Sequence, residues 1–198
     1  MTKIDLDQAQ AQILHIFNGI YPMSEALEKS IRQHSKLTKL NKKAHLLQFN
    51  QVNKSIYFIL QGCVRTYYLN DEGEEHTSWL LTEGELAISV YSFYSQQKSF
   101  EAIEALEDCV TLELTHTALS HLYQQHLEFN VIGRYLTEQY YIESESKANA
   151  LRMLSAKERY QELILRKPQI LRRVPLGYIA SYLGISQVTL SRIRASIR

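Results

Sequence analysis

VPLGYIASYLGISQVTLSRIR, residues 174–194, has the pattern of two short helices that cross steeply around a tight turn. Pro175 can start the first helix, Ile179 and Leu183 fall on its inner side, and Ala180 allows the close crossing. Gly184 suits the left-handed turn, Ile185 fills the corner, Ser186 caps the second helix, and Leu190 and Ile193 form its buried side. This phase leaves Gln187, Val188, Ser191 and Arg192 exposed on the second helix. Arg can bind guanine O6 and N7 in a bidentate fashion, Gln can do so with adenine N6 and N7, and Val can touch a thymine methyl. The residues expected on DNA are therefore Ser186, Gln187, Val188, Thr189, Ser191, Arg192 and Arg194, with Arg172, Arg173, Arg194 and Arg198 on phosphates.

A small helical hairpin can also be plain scaffold, so the charge around it matters. Residues 152–198 hold ten Lys/Arg against Glu158 and Glu162, a net +8, whereas residues 1–151 hold twelve basic and nineteen acidic residues, a net −7. An overall charge of +1 thus hides two electrostatic halves, as expected of an acidic body joined to a module that meets a polyanion. With 198 residues, 45% apolar and 22% charged, the chain can build one large or two small cores. No run approaches the ~18 uncharged apolar residues of a membrane span, and MTKIDLDQAQAQILHIF is not a secretion signal, so a soluble cytoplasmic protein without membrane partners is expected. Cys63 and Cys109 are too few and too far apart for a disulfide framework, a CxxC zinc site or an iron-sulfur cluster. His121 and His126 stand five apart, off a single helical face, and no metal site is expected.

Upstream of the hairpin the texture changes three times. Residues 7–34 read as two short helices separated by Pro22, the second capped by Ser24. From Ala44 to Leu114, short β-rich runs (HLLQF, SIYFIL, CVRTYYL, HTSWLL, CVTLEL) alternate with turns such as NDEG at 70–73, the pattern of a sandwich or barrel-like sheet. Thr115 to Met153 is helical, with Leu127, Val131, Ile132, Tyr135, Leu136 and Ile142 as an apolar stripe. From Leu127 to Leu154 the helix would run about 42 Å, longer than a small domain, so part of the stripe is expected to pair with a second copy; a buried helix in a larger monomeric core is the alternative. Ser155 and Glu158 form a capping box that begins a new unit.

In this order of parts the chain resembles a Crp/Fnr-family transcription regulator. The matching segments are SIYFILQGCVRTYYLNDEGEE, EGEL at 83–86 and LGISQVTLSRIR at 183–194. The resemblance implies a bacterial α+β protein: an N-terminal double-stranded β-helix, or jelly-roll-like β-roll, with flanking helices, a long dimerisation helix and a C-terminal winged helix-turn-helix. It implies a cyclic-nucleotide-binding-like sensor domain at 1–115, a helical linker and dimerisation helix at 116–154, and a DNA-binding domain at 155–198. Its partners would be double-stranded DNA carrying a pseudo-palindromic operator, a second copy of the chain, and RNA polymerase as a further candidate. Any wing beyond the second helix would lie past Arg198, where the sequence ends.

The sensor half departs from the family. Nucleotide-binding members follow a Gly-Glu-Leu turn, here Gly84, Glu85 and Leu86, with an Arg-Ser or Arg-Thr pair that holds the cyclic phosphate. The corresponding pair here is Lys98-Ser99, set back by the insertion AISVYSFYSQQ. Lys cannot reproduce the planar fork of Arg on a phosphate. The resemblance therefore implies an effector pocket at Gly84, Glu85, Leu86, Lys98 and Ser99 that does not take cAMP in the usual way, lined or filled by Tyr91, Phe93 and Tyr94, filling being the favoured expectation. No cofactor is expected, and an unidentified small-molecule effector stays open. Val188 stands where the family often has Glu, so the operator cannot be copied from other members. A ligand-binding or protein-interaction module with a vestigial helix-turn-helix is the competing reading. An enzyme is not expected, since P-loop, GxSxG, HExxH and dinucleotide-glycine patterns are missing from the sequence.

Overall fold

Capped helices begin the chain in the computed structural model, which describes residues 4–197. Helix α1 (Leu6–Ile20) starts at Asp5, whose carboxylate accepts from the Gln8 N–H at 2.9 Å while the Gln8 side chain accepts from the Asp5 N–H. Helix α2 (Glu25–His34) starts at Ser24, whose hydroxyl oxygen accepts from the Leu27 N–H. These helices cover one face of a β-roll of eight strands: β1 (Ser35–Leu40), β2 (His45–Leu47), β3 (Ser55–Gln61), β4 (Val64–Leu69), β5 (Glu75–Leu81), β6 (Leu86–Ala87), β7 (Glu101–Ala105) and β8 (Cys109–Thr115). Two antiparallel sheets result, ordered β1-β8-β3-β6 and β2-β7-β4-β5.

Each of the five β-rich runs contains a strand, and the 70–73 turn closes with the Gly73 N–H donating to the Asn70 carbonyl. Strands β1, β6 and β7 are additions. SKLTKL carries two lysines, and EAIEA is built of residues that lean toward helix, so neither shows a strong strand signal. Tertiary pairing decides both: β1 lies along β8, and β7 lies between β2 and β4. The AISVYSFYSQQ insertion holds a short helix, α3 (Val90–Ser95).

Beyond the roll come α4 (His116–Gln125) and α5 (Leu127–Met153), whose 27 residues extend about 40 Å. Gly133, the single glycine of this helix, permits a close approach. The Tyr123 ring of α4 lies against it, and a Cβ there would come 2.1 Å from the tyrosine oxygen. The α5 apolar residues do not form one stripe. Ile132 and Leu136 pack into the core, whereas Leu127, Tyr135 and Ile142 are exposed. At 100° per residue the two groups diverge by roughly a quarter turn, so one side of α5 serves the roll and another faces outward.

A second apolar cluster joins α6 (Ala156–Arg166), α7 (Ile170–Arg173), α8 (Leu176–Tyr182) and α9 (Gln187–Ile197). Tyr160, Leu163, Ile170, Ile179 and Leu190 share it with Cys63, Leu80 and Leu106 of the β-roll. The C-terminal module therefore shares a core with the body. The expected wing has no counterpart among the described residues, because all their strands lie between Ser35 and Thr115. No helix among the described residues is long and apolar enough to cross a membrane.

The first core is joined by Phe17, fully buried and edge-on to Phe58 (5.3 Å) and Phe129 (6.0 Å), which links α1, β3 and α5. Phe17→Ala is expected to destabilise the protein by about 3–5 kcal/mol, read as a lower urea midpoint at unchanged slope.

Candidate functional site

Helices α8 and α9 realise the hairpin phase closely. Ile179, Ala180, Leu183 and Leu190 are buried, and Ile193 packs on them. Gly184 sits at φ +66° between hydrogen bonds from its own N–H to the Ser181 carbonyl and from the Ile185 N–H to the Ala180 carbonyl. The Ser186 hydroxyl oxygen accepts from the Thr189 N–H at 3.1 Å, and the two hydroxyls lie 2.9 Å apart. Ser186 and Thr189 are thus committed to the cap. Gln187, Val188, Ser191 and Arg192 are exposed together on α9, Val188 at 61%. Arg194 is half-buried, Arg172 is exposed, and Arg198 lies outside the described residues.

Helix α8 lies along β5, and a set of polar contacts seats the module on the roll. The Thr77 N–H donates to the Ser181 hydroxyl at 2.9 Å. Arg65, 2% exposed, pairs with Glu75 and Glu104 while its guanidinium is stacked 4.0 Å from the Tyr67 ring and 3.7 Å from the Tyr178 ring of α8. Lys167 donates to the Leu80 carbonyl and the Glu85 carboxylate. Arg173 binds Glu83 through two nitrogens at 2.7 Å and also pairs with Glu107. Burial alone would raise the Glu83 carboxyl, but hydrogen bonds from Arg173 and the Gly62 N–H outweigh it and hold the group below the usual carboxylate range. Arg173, expected on phosphate, is therefore occupied by carboxylates of the body.

The residues of the expected effector pocket are not gathered at one place. Gly84, Glu85 and Leu86 border a cavity of about 290 Å³ between the roll and α5. Lys98 is exposed in a bridge to Val52, and neither it nor Ser99 lines that cavity. The Ser99 hydroxyl is engaged with Ser89 and with the backbone of Glu101. The Glu85 carboxylate accepts from the Thr82 N–H (2.9 Å) and hydroxyl (3.1 Å) as well as from Lys167. The insertion aromatics leave the cavity open, contrary to the favoured expectation that they fill it. Helix α3 turns Tyr91 outward beside Phe100, buries Phe93 against His116, and places Tyr94 in the cavity wall.

Four residues escaped the sequence reading. Lys147 of α5 lies with its Nζ 4.8 Å from the Trp79 ring and 4.3 Å from the Tyr182 ring, and Tyr140 is 5.7 Å from Trp79. They come from three distant segments, so no local pattern announces them. Burial lowers the Lys147 ammonium to about 8, with Glu101 opposing the shift and Lys167 adding to it. Both cysteines are buried and free, with burial pushing the Cys63 thiol to about 12 and the Cys109 thiol to about 11. Thiols held so firmly protonated are poor nucleophiles.

Residues 37–126 match the family model of the cyclic nucleotide-binding domain. No curated protein matches the sequence. Among solved structures, the chain is similar to FixK2 of Bradyrhizobium japonicum, with 18% identity, TM-score 0.69 and coverage of 82% of this chain and 84% of that one. It is also similar to the global regulator CLP of Xanthomonas campestris, described as responsive to c-di-GMP, with 16% identity, TM-score 0.63 and coverage of 88% and 91%. A regulator of the Crp/Fnr family from Eubacterium rectale matches with 18% identity, TM-score 0.67 and coverage of 86% and 82%. At these identities the likeness is one of fold, and together with the domain match it supports the Crp/Fnr-type resemblance.

Because the Lys147 ammonium lies over Trp79, the indole should report its titration. Trp79 emission is expected to change with a midpoint near pH 8, and Lys147→Met should abolish the transition. The folded-state pKa is depressed, so the unfolded chain binds more protons between about 8 and the ordinary lysine value of 10.5. Lys147 therefore makes stability rise with pH across that window, a slope that the variant should lose.

Proposed function

We propose that this chain, which has the fold of the Crp/Fnr-type regulators and a cyclic nucleotide-binding domain at residues 37–126, is a homodimeric, sequence-specific DNA-binding transcription regulator. The observation that carries this reading is the exposed face of α9. A capped helix, anchored by fully buried Leu190, holds Gln187, Val188, Ser191 and Arg192 toward solvent in its first turns. These side chains offer one bidentate guanidinium, one amide, one hydroxyl and one small apolar group, suited to base edges in a major groove. Exposed Arg172 adds phosphate affinity that carries no sequence information.

The outward side of α5 supports pairing with a second copy. Val131, Tyr135 and Ile142 stand four and seven residues apart, Tyr135 and Ile142 are exposed, and an isologous contact would bury this face on both helices. Two α9 helices about 34 Å apart would then read a pseudo-palindromic operator. In this reading residues 1–115 are the sensor, 116–154 the linker and dimerisation helix, and 155–198 the DNA-binding module, with no enzymatic step. The sensor does not hold cAMP in the usual way, a view supported by the engaged Glu85 carboxylate and by Lys98 and Ser99 lying off the cavity.

Arg192→Ala is expected to cost about 1–3 kcal/mol on the DNA sequence that the protein selects, with little change on random duplex DNA. Equal losses on both DNAs, measured at one salt concentration, would exclude base readout by Arg192.

A further inference from the structure

The 290 Å³ cavity lies between the inner side of α5 and the strands β3, β5 and β6. Its walls include Phe17, Phe58, Trp79, Leu86, Leu136 and Tyr140. An apolar protein cavity of about 150 Å³ can hold a benzene ring, so this one has room for about two ring systems. The charged groups along its lining are Glu85 and Glu143, and no Lys, Arg or His is among the lining residues. Glu85 is answered from outside the lining by Lys167. A phosphate or carboxylate placed here would lose its water beside two carboxylates with no cation in the wall, a large desolvation cost without compensation. An uncharged ring compound meets no such penalty and gains contact with the apolar and aromatic residues that make up most of the lining.

We infer that this cavity binds an uncharged, apolar, ring-bearing small molecule of about two ring systems, in place of a cyclic nucleotide. The inference rests on the regulator reading only in treating the N-terminal half as a sensor. Its location suits that role, since two of its wall residues also seat the C-terminal module. Glu85 does so through Lys167, and Trp79 through Lys147, which in turn faces Tyr182 of α8.

Trp79 is the sole tryptophan in the chain and lines the cavity, so it can report occupancy directly. The test titrates the full-length protein with N-phenyl-1-naphthylamine, an uncharged probe with two ring systems, following probe emission and Trp79 quenching together. The expected result is saturable binding at one site per chain, quenching in parallel, and no displacement by excess cAMP. Leu136→Phe, which fills the cavity from a partly exposed position of α5, should weaken binding by tenfold or more; Leu86→Phe serves the same purpose from β6 if the first variant fails to fold. Absence of saturable binding, displacement by cAMP, or undiminished binding in a folded filling variant would each overturn the inference. No DNA enters the assay, so its failure leaves the regulator reading standing, and failure of operator binding leaves this result standing.

Discussion

A helix of about 40 Å must lie on a β-roll shorter than itself, and most of the molecule follows from how α5 meets that constraint. At its N-terminal end, Phe129 and Ile132 complete the core around Phe17, and Gly133 lets the Tyr123 ring of α4 approach closely. In the middle, Leu136 and Tyr140 form one wall of the cavity. Toward the end, Lys147 reaches the seam between β5 and α8. A single rigid element thus borders the core, the cavity and the seat of the C-terminal module, while another side carries Tyr135 and Ile142 outward.

The charge asymmetry acquires a second meaning once the halves are seen together. Part of the +8 of residues 152–198 is turned inward: Arg173 meets Glu83 and Glu107, and Lys167 meets Glu85. Arg172 and Arg192 stay in solvent, where a polyanion can reach them. The acidic body is accordingly both the counter-ion of the module and the surface that positions it. A buried Arg65, stacked between Tyr67 and Tyr178 and paired with Glu75 and Glu104, carries the same logic into the core of the seam.

Local rules were enough to read the hairpin and the starts of α2 and α6. Gly184, Ser186 and Leu190 act within a few residues of one another, and so do Ser24 and the Ser155–Glu158 box; their hydrogen bonds appear where spacing places them. Strands β1 and β7 were hidden because their composition argues against a strand, and only pairing with distant partners overrides it. On α5 the periodicity was visible, but apolar residues serving two different faces merged into one stripe. The expected effector pocket was the least legible part. Lys98-Ser99 follows Glu85 in sequence, yet the fold sends Lys98 to solvent and closes Ser99 onto Ser89 and Glu101. Trp79, Tyr140, Lys147 and Tyr182 meet only in three dimensions, and Lys147 reads in sequence as one more surface charge.

The proposed function has two copies of α9 reading base edges in a paired site. Its most direct test is selection from a random double-stranded DNA pool with the purified full-length protein, with and without cAMP or cGMP. Enrichment of an inverted repeat with half-sites about one helical turn apart, unchanged by either nucleotide, is the expected result. A pool that stays random under every condition would contradict it.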